Sequence, residues 1–489
     1  MIEPPGFALA RRRVLGFREI TCSSGQDMLA LPLPRQFAAP VSRQTGWALF
    51  AAFYALSLIL QLPGNVPFDG IVVWHEAETA TLYAQHPAAL VLVWRLLDLI
   101  VPGPLLFTAA QLAPLWLAAK VLFERVRAPL WLAVCFYLFL LAWPPLLALS
   151  GVTVKDVFGG HLAVLAFVLV LPKPQTPHAP WIWAVAFALA TLAALFRYQL
   201  ALMLPVLALM CWRQLPREGL RSAGAGAIGL VGAWAAVAIG VAFLFTRAGP
   251  GDVDLSLRKM MVFDIAGTVA ADPAVPLPVL ARAGVDVAAL KSQMLAAYTP
   301  ARVDSLWQIN GATPLDPMRS GVFALLDRVS NGQLFRQWLF SARHDAPAFL
   351  RHHGLAFARV LGFADIYACR PIRAGISPLP TAQAAAVQAR AWREPLSAKV
   401  MTAHAFPVGL PFRAWLYALL CAAIAGAWLT GRAFAAEAVL LAGFGLVYEL
   451  SFLVLTQACE VRYSYPLFLA AVFGVALALA RRLERGLPA

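Results

Sequence analysis

The chain has 489 residues, of which 61% are hydrophobic and 13% charged, and its formal net charge is +14. Soluble domains carry roughly 25% charged residues because polar side chains must cover their surface. The long apolar runs in both halves of this chain instead predict an all-α polytopic membrane protein, and their lack of alternation excludes a membrane β-barrel; disorder, a collagen-like chain and a disulfide-stapled secreted fold are excluded by the same composition.

Residues 1–45 are polar, contain Arg11, Arg12, Arg13 and Arg18, and lack an apolar core followed by a cleavage site. They read as a cytoplasmic segment and not as a secretory signal. An N-terminal transmembrane module is predicted over 46–246, with spans at 46–62, 104–122, 129–149, 157–171, 181–196, 200–213 and 225–246. Its first periplasmic loop, 63–103, contains an apolar stretch at 88–101 that is too short to cross alone and is interrupted by Arg95 and Asp98, which predicts a helix lying at the interface.

Residues 247–411 are much more polar and are expected to fold as a large α-rich periplasmic domain. Within it, 333–363 has helical periodicity, with Arg336, Arg343 and Arg351 on one broad face that reads as solvated. A C-terminal transmembrane module follows over 412–489, with spans at 412–430, 434–456 and 463–480. The total is about 10 transmembrane helices with both ends in the cytoplasm. Basic residues of the assigned cytoplasmic connections, among them Lys120, Arg125, Lys173, Arg217, Arg432 and Arg481, follow the positive-inside bias and account for the net charge. No basic run interleaved with aromatics is present, so nucleic acid is not an expected partner.

On this topology the short outward turns hold Lys155 and Asp156, Arg197 and Tyr198, and Glu460, Arg462 and Tyr463. They share a face with Asp69, Glu76 and Glu78 of the first loop. Arginine and lysine in tight outward turns run against the positive-inside bias, and this predicts a shared functional cavity. Lys155, Arg197 and Arg462 suit a phosphate, the arginines by bidentate contacts and the lysine as a point charge. Asp69 or Glu76 suits removal of a proton from a hydroxyl. Together they fit displacement of a lipid phosphate from a sugar carbon by an acceptor hydroxyl.

The run Pro67-Phe68-Asp69-Gly70, followed by Trp74, His75 and Glu76 and then by Gln85-His86-Pro87 before an apolar helix, resembles the first periplasmic loop of GT-C superfamily glycosyltransferases. The Lys155-Asp156 turn, Arg197, the late extracytoplasmic domain and Arg462-Tyr463 before Pro466 also resemble bacterial members that act on O-antigen or other envelope glycans. The resemblance implies an integral inner-membrane glycosyltransferase with its active site facing the periplasm. Its partners would be membrane lipids, a polyprenyl-phosphate-linked sugar donor and a lipid or glycan acceptor. Asp69 takes the place of the catalytic base, with Glu76 as its rival. Lys155, Asp156, Arg197, Tyr198, Glu460, Arg462, Tyr463 and His86 are the implied substrate-binding positions. The tandem acidic pair of several members is absent, since Asp69 is followed by Gly70. A transporter or flippase of lipid-linked glycans, or an envelope-polysaccharide polymerase or ligase, are the alternatives.

Asp252-Val253-Asp254 has the Asp-x-Asp spacing of metal-dependent sugar transferases, but such spacing is common by chance, so no cofactor is expected and a divalent metal is the sole candidate. His344, His352 and His353 lack same-face zinc spacing and read as surface residues. Glu449 lies inside a predicted span and must face protein or a wet cavity. Cys369 and Cys459 fall on the outer side, where a bridge is permitted, whereas Cys135, Cys211 and Cys421 read as packing residues. No P-loop, dinucleotide fingerprint or nucleophile elbow is present.

Overall fold

The computed structural model describes residues 39–80, 86–172, 180–214, 255–307, 320–364, 369, 394–402, 409–429 and 435–486. The expectations for 1–38, the 225–246 span, Lys173, Arg217, Asp252, Asp254 and Arg432 lie outside the described residues. The described residues are helical and form no β-strand. In chain order come α1 (Arg43–Gln61), α2 (Phe68–Thr79), α3 (Ala88–Asp98), α4 (Pro104–Arg125), α5 (Leu130–Ala142), α6 (Lys155–Leu169), α7 (Pro180–Phe196) and α8 (Met203–Arg213). After these are α9 (Leu255–Ala271), α10 (Val287–Ala297), α11 (Asn331–His344), α12 (Ala346–Val360), α13 (Ala414–Leu429), α14 (Ala436–Leu450) and α15 (Tyr465–Gly486).

Among the described residues, three stretches are long and apolar enough to cross a membrane: Pro104–Arg125, Ala436–Leu455 and Val461–Glu484. At about 1.5 Å per residue the first reaches roughly 33 Å, enough for a hydrocarbon core of about 30 Å. Leu130–Ala142, Trp181–Phe196, Tyr198–Arg213 and Ala414–Leu429 are apolar but shorter. The expected single span at 129–149 is broken. Its helix stops at Trp143, which is extended (φ −71°, ψ 120°) because Pro144 disfavours helical backbone in the residue before it. The freed Trp143 then donates from Nε1 to Tyr417 Oη at 3.0 Å, tying the break to α13.

α6 is the central helix, packed on α4, α7 and α15 and buried almost throughout. His161 pins this arrangement: its Nδ1 donates to the Gln111 carbonyl of α4 at 2.6 Å, and its Nε2 accepts from Tyr465 Oη of α15 at 2.9 Å. Interlocking of this kind fills the interior between helices where lipid-like residues alone give no specific fit.

A second hydrophobic cluster is built by α9 to α12 around Val262, Phe263, Leu280, Leu290, Phe323 and Leu334. The single helix expected over 333–363 is two. Asp345 (φ −133°) separates them, its carboxylate accepts from Ala348 N, and Pro347 cannot extend an incoming ladder of hydrogen bonds. Arg336, Arg343 and Arg351 are exposed, but the expectation of surface histidines holds only for His344. His352 and His353 are buried against Asp264 of α9, because a buried carboxylate requires donors. Asp264 accepts from Trp338 Nε1 at 2.7 Å and pairs with His352 Nε2 at 3.2 Å, while Tyr298 Oη bonds His352 Nδ1 at 2.7 Å. Burial opposes the Asp264 charge, but the hydrogen bonds to His352 and His353 outweigh it and hold the carboxyl below its ordinary range. Gly267 leaves the room for the His352 ring: a Cβ there would meet Nδ1 at 2.0 Å.

Two short extended straps join distant parts of the chain. Asn65 N donates to the Gly151 carbonyl at 2.7 Å and Thr153 N to the Asn65 carbonyl at 2.9 Å, which brings the start of α2 beside the start of α6. Val303 N donates to the Gln457 carbonyl at 2.7 Å and Cys459 N to the Ala301 carbonyl at 2.6 Å. The second strap is closed covalently by a Cys369–Cys459 disulfide, the pairing that the sequence left open.

Candidate functional site

The straps and the packing of α7 on α6 bring distant chain segments to one place. Asp69 lies in the first turn of α2 and Asp156 in the first turn of α6, where a carboxylate suits the positive end of the helix. Arg197 follows the last residue of α7 in extended backbone (φ −147°, ψ 114°), so its side chain leaves the helix axis. Glu460 is also extended, and Arg462 lies in the Val461–Ser464 turn that leads into α15.

These groups form one network. Arg462 Nη2 donates to Asp69 Oδ2, and Arg197 Nη1 pairs with Asp156. Arg462 Nε lies 3.2 Å from Glu460 Oε2 and 3.8 Å from Asp156 Oδ2, and Glu460 Oε1 is 4.0 Å from Arg302 Nη2. Asp156 thus lies between the two arginines with no side-chain exposure. Arg197 also stacks over Tyr463 and Phe452, at 4.3 Å and 5.1 Å from the ring centroids. Removing ions from water is costly, and only mutual pairing with additional hydrogen bonds makes such a cluster tolerable.

Most of the positions singled out in the sequence therefore meet: Asp69, Asp156, Arg197, Glu460, Arg462 and Tyr463 are in direct contact. Lys155 and His86 are at the edge, within electrostatic reach of Asp69, and Glu76 is fully buried within reach of Lys155. Tyr198 is exposed and takes no part in the ion-pair network. Glu78 faces Asp98; burial, aided by that second carboxylate, pushes it up to about 7. Glu449 accepts from Ser464 Oγ at 2.8 Å, a link between α14 and the turn before α15.

The arrangement differs from a set of free cations in one respect. Both arginines are already opposed by carboxylates, so Asp156 and Glu460 act first on their own neighbours. Arg462 Nη1 and Arg197 Nε have no hydrogen-bond partner among the described residues. Among the described residues, no group of three or more His, Cys, Asp or Glu side chains gathers to hold a metal ion.

Lys259, Arg302, Asp304 and Trp307 were not singled out in the sequence. Burial, with Asp69 adding and Arg302 opposing, raises the Asp304 carboxyl above its ordinary range. No spacing in the sequence marks these residues, because isolated charges in a polar block look like a solvated surface; only the strap to 457–459 brings them inward. Compared with known proteins, the chain matches no family model, no curated protein and no solved structure.

Proposed function

We propose that this chain is a polytopic membrane glycosyltransferase of GT-C type. It transfers a sugar from a polyprenyl-phosphate donor to a lipid or glycan acceptor of the envelope, at the periplasmic face of a bacterial inner membrane. The observation that carries this reading is the meeting of Asp69, from the first loop, with Arg462, 393 positions later, at a cluster that also holds Asp156 and Arg197. A partly exposed carboxylate beside cationic N–H groups offers a base and an anion-stabilising surface within one site. Its charges gather at one end of the helices, an arrangement suited to chemistry at one face more than to a path across a bilayer. The Cys369–Cys459 bridge supports an oxidising, extracytoplasmic location for that end.

In this reaction the acceptor oxygen attacks the anomeric carbon, the carbon–oxygen bond to the donor phosphate breaks, and Asp69 takes the acceptor proton. The bond electrons leave with the phosphate, whose growing charge is met by the cationic groups of the site. Arg462 pairs with Asp69 before substrate arrives, and its Nη1 N–H, which has no hydrogen-bond partner among the described residues, is a donor for the phosphate.

Asp69→Asn should leave folding intact and lower turnover by about a hundredfold or more, since general-base catalysis supplies roughly 10² to 10⁴. The measurement is transfer of radiolabelled sugar from a polyprenyl-phosphate donor by the purified protein in lipid vesicles. Full activity in that variant, with Glu76→Gln inactive, would move the base to Glu76.

A further inference from the structure

α12 contributes Ala356 to the second hydrophobic cluster, yet it is also fastened to the apolar bundle at two places. Its middle packs on Phe452–Leu455, the last turn of the Ala436–Leu455 span, where His353 hydrogen-bonds the Leu453 backbone. Its end is held by the start of α13. Trp415 N donates to the Leu361 carbonyl at 3.0 Å, Arg413 Nη1 donates to the Gly362 carbonyl, and the Phe363 and Trp415 rings stack with centroids 6.2 Å apart. Pro347, Leu350, Gly354, Phe357 and Leu361 recur at steps of three and four residues, so they form one stripe along the helix and its C-cap. The two halves of that stripe differ. Phe357 and Leu361 pack against the core of the bundle, whereas Pro347 and Gly354 are exposed and Leu350 is 66% exposed.

A helix of a soluble domain turns such a stripe into its own core. Here half of it runs off the bundle beside the end of a span, so the medium that surrounds the span end is also the one that meets Pro347 and Leu350. Lipid answers both the apolar stripe and its position, whereas a protein partner would have to displace the bilayer around the span. The neighbouring charges choose among lipids. Residues 331–363 carry Arg336, Arg343, Arg351 and Arg359 against one acid, Asp345, which is turned back to cap α12 at Ala348 N. Arg351 is exposed and follows Leu350 by about 100° round the helix, so its stem can run along the apolar face while its guanidinium stays among headgroups. We propose that α12 is a membrane-surface helix that seats the α9–α12 block on anionic phospholipid, with Pro347, Leu350 and Gly354 toward the acyl chains and Arg351 at the phosphates. This goes beyond the sugar-transfer reading and does not rest on it.

The test uses the full chain in vesicles of phosphatidylcholine, with and without phosphatidylglycerol, carrying a nitroxide spin label at Leu350→Cys or at Gly354→Cys. Leu350 is exposed and a Cβ at Gly354 would meet nothing within 4 Å, so neither variant disturbs packing. Arg282→Cys, at an exposed position of the second cluster's 278–282 helix, is the aqueous reference, and the signal of the unmodified chain is subtracted for its own free cysteines. Collisions with oxygen, which partitions into lipid, and with a nickel chelate, which stays in water, read the depth of each label. With phosphatidylglycerol present, the labels at 350 and 354 should lie about 5–10 Å into the boundary of headgroups and acyl chains, as interfacial helices do, and the label at 282 should be open to nickel. Adding Arg351→Glu to Leu350→Cys should move the label outward in the anionic vesicles. Raised salt should do the same, since it screens the attraction between guanidinium and headgroup.

Nickel that reaches positions 350 and 354 as freely as 282 in anionic vesicles overturns the proposal. Labels shielded from oxygen and nickel alike would put protein on this face, a second copy or another segment of the chain, and would overturn it equally. The same depth in pure phosphatidylcholine, unmoved by Arg351→Glu, would overturn the choice of anionic lipid. Because each readout is a depth and not a rate, a protein that transfers no sugar would leave the membrane-surface helix standing.

Discussion

Asp156 shows how much a single buried carboxylate does in this fold. Among the described residues it is the one carboxylate paired with both Arg197 and Arg462, and it has no exposure through which water can replace it. Asp156→Asn preserves size but leaves Arg197 and Arg462 short of a negative charge. Breaking a buried ion pair by neutralising one partner costs roughly 3–5 kcal/mol. We expect Asp156→Asn to lower the thermal unfolding midpoint clearly and to reduce binding of a donor analogue with it. An unfolding curve that overlays the wild type would mean that the arginines find other partners and that Asp156 is no structural keystone. Asp69, Arg197 and Arg462 were legible in the sequence because charged residues interrupt apolar runs there. Lys259 and Asp304 were not, since one charge among many in a polar segment has no contrast with its neighbours.

Among the elements, the placement of α2 explains why Asp69 is followed by glycine and not by a second acid. A Cβ on Gly70 would lie 2.7 Å from the Thr153 carbonyl oxygen and 2.9 Å from its Oγ1. The helix therefore approaches the 151–153 strap too closely for any side chain at that position, and that approach holds Asp69 against Arg462. Gly70→Ala should cost about 1–3 kcal/mol as an overpacked contact, and it should displace α2 enough to lower sugar transfer severalfold. Unfolding temperature and transfer rate measured on the same preparation check this. Wild-type values in both would show that the strap yields and that α2 is not positioned by it. Helix existence followed from apolar length, whereas the breaks at Trp143 and Asp345 came from local chemistry, a proline and a cap, that periodicity alone does not weigh.

At the level of the whole molecule, the Cys369–Cys459 bridge spans 90 positions and fastens the 457–459 strap beside Glu460. The same strap pairs with 301–303, so it holds Arg302 against Glu460 and carries the α9–α12 block to the ion-pair cluster. Cys459→Ser should destabilise the protein by about 2–4 kcal/mol, with the block on α9 loosened from the site. Thermal unfolding with and without reductant should show the loss in the wild type and no further effect of reductant in the variant. Alkylation followed by mass spectrometry should find Cys369 and Cys459 protected until reduction. Free labelling of both in the folded, oxidised protein would rule the bridge out.

The sequence by itself determined that this chain is helical and apolar enough to enter a membrane, because the length and hydropathy of a run are properties of neighbours in the chain. It also marked Asp69, Asp156, Arg197 and Arg462, since a charge inside or beside an apolar run is visible locally. Only the tertiary structure decided which charge faces which, that Asp156 is shared by two arginines, that His352 and His353 turn inward to Asp264, and that Lys259 reaches Trp307 near Lys155. Those outcomes depend on backbone straps and helix packing between residues hundreds of positions apart. Pairing across such distances is set by the geometry of the packed helices and the cost of leaving a buried charge alone, neither of which is written in any local pattern.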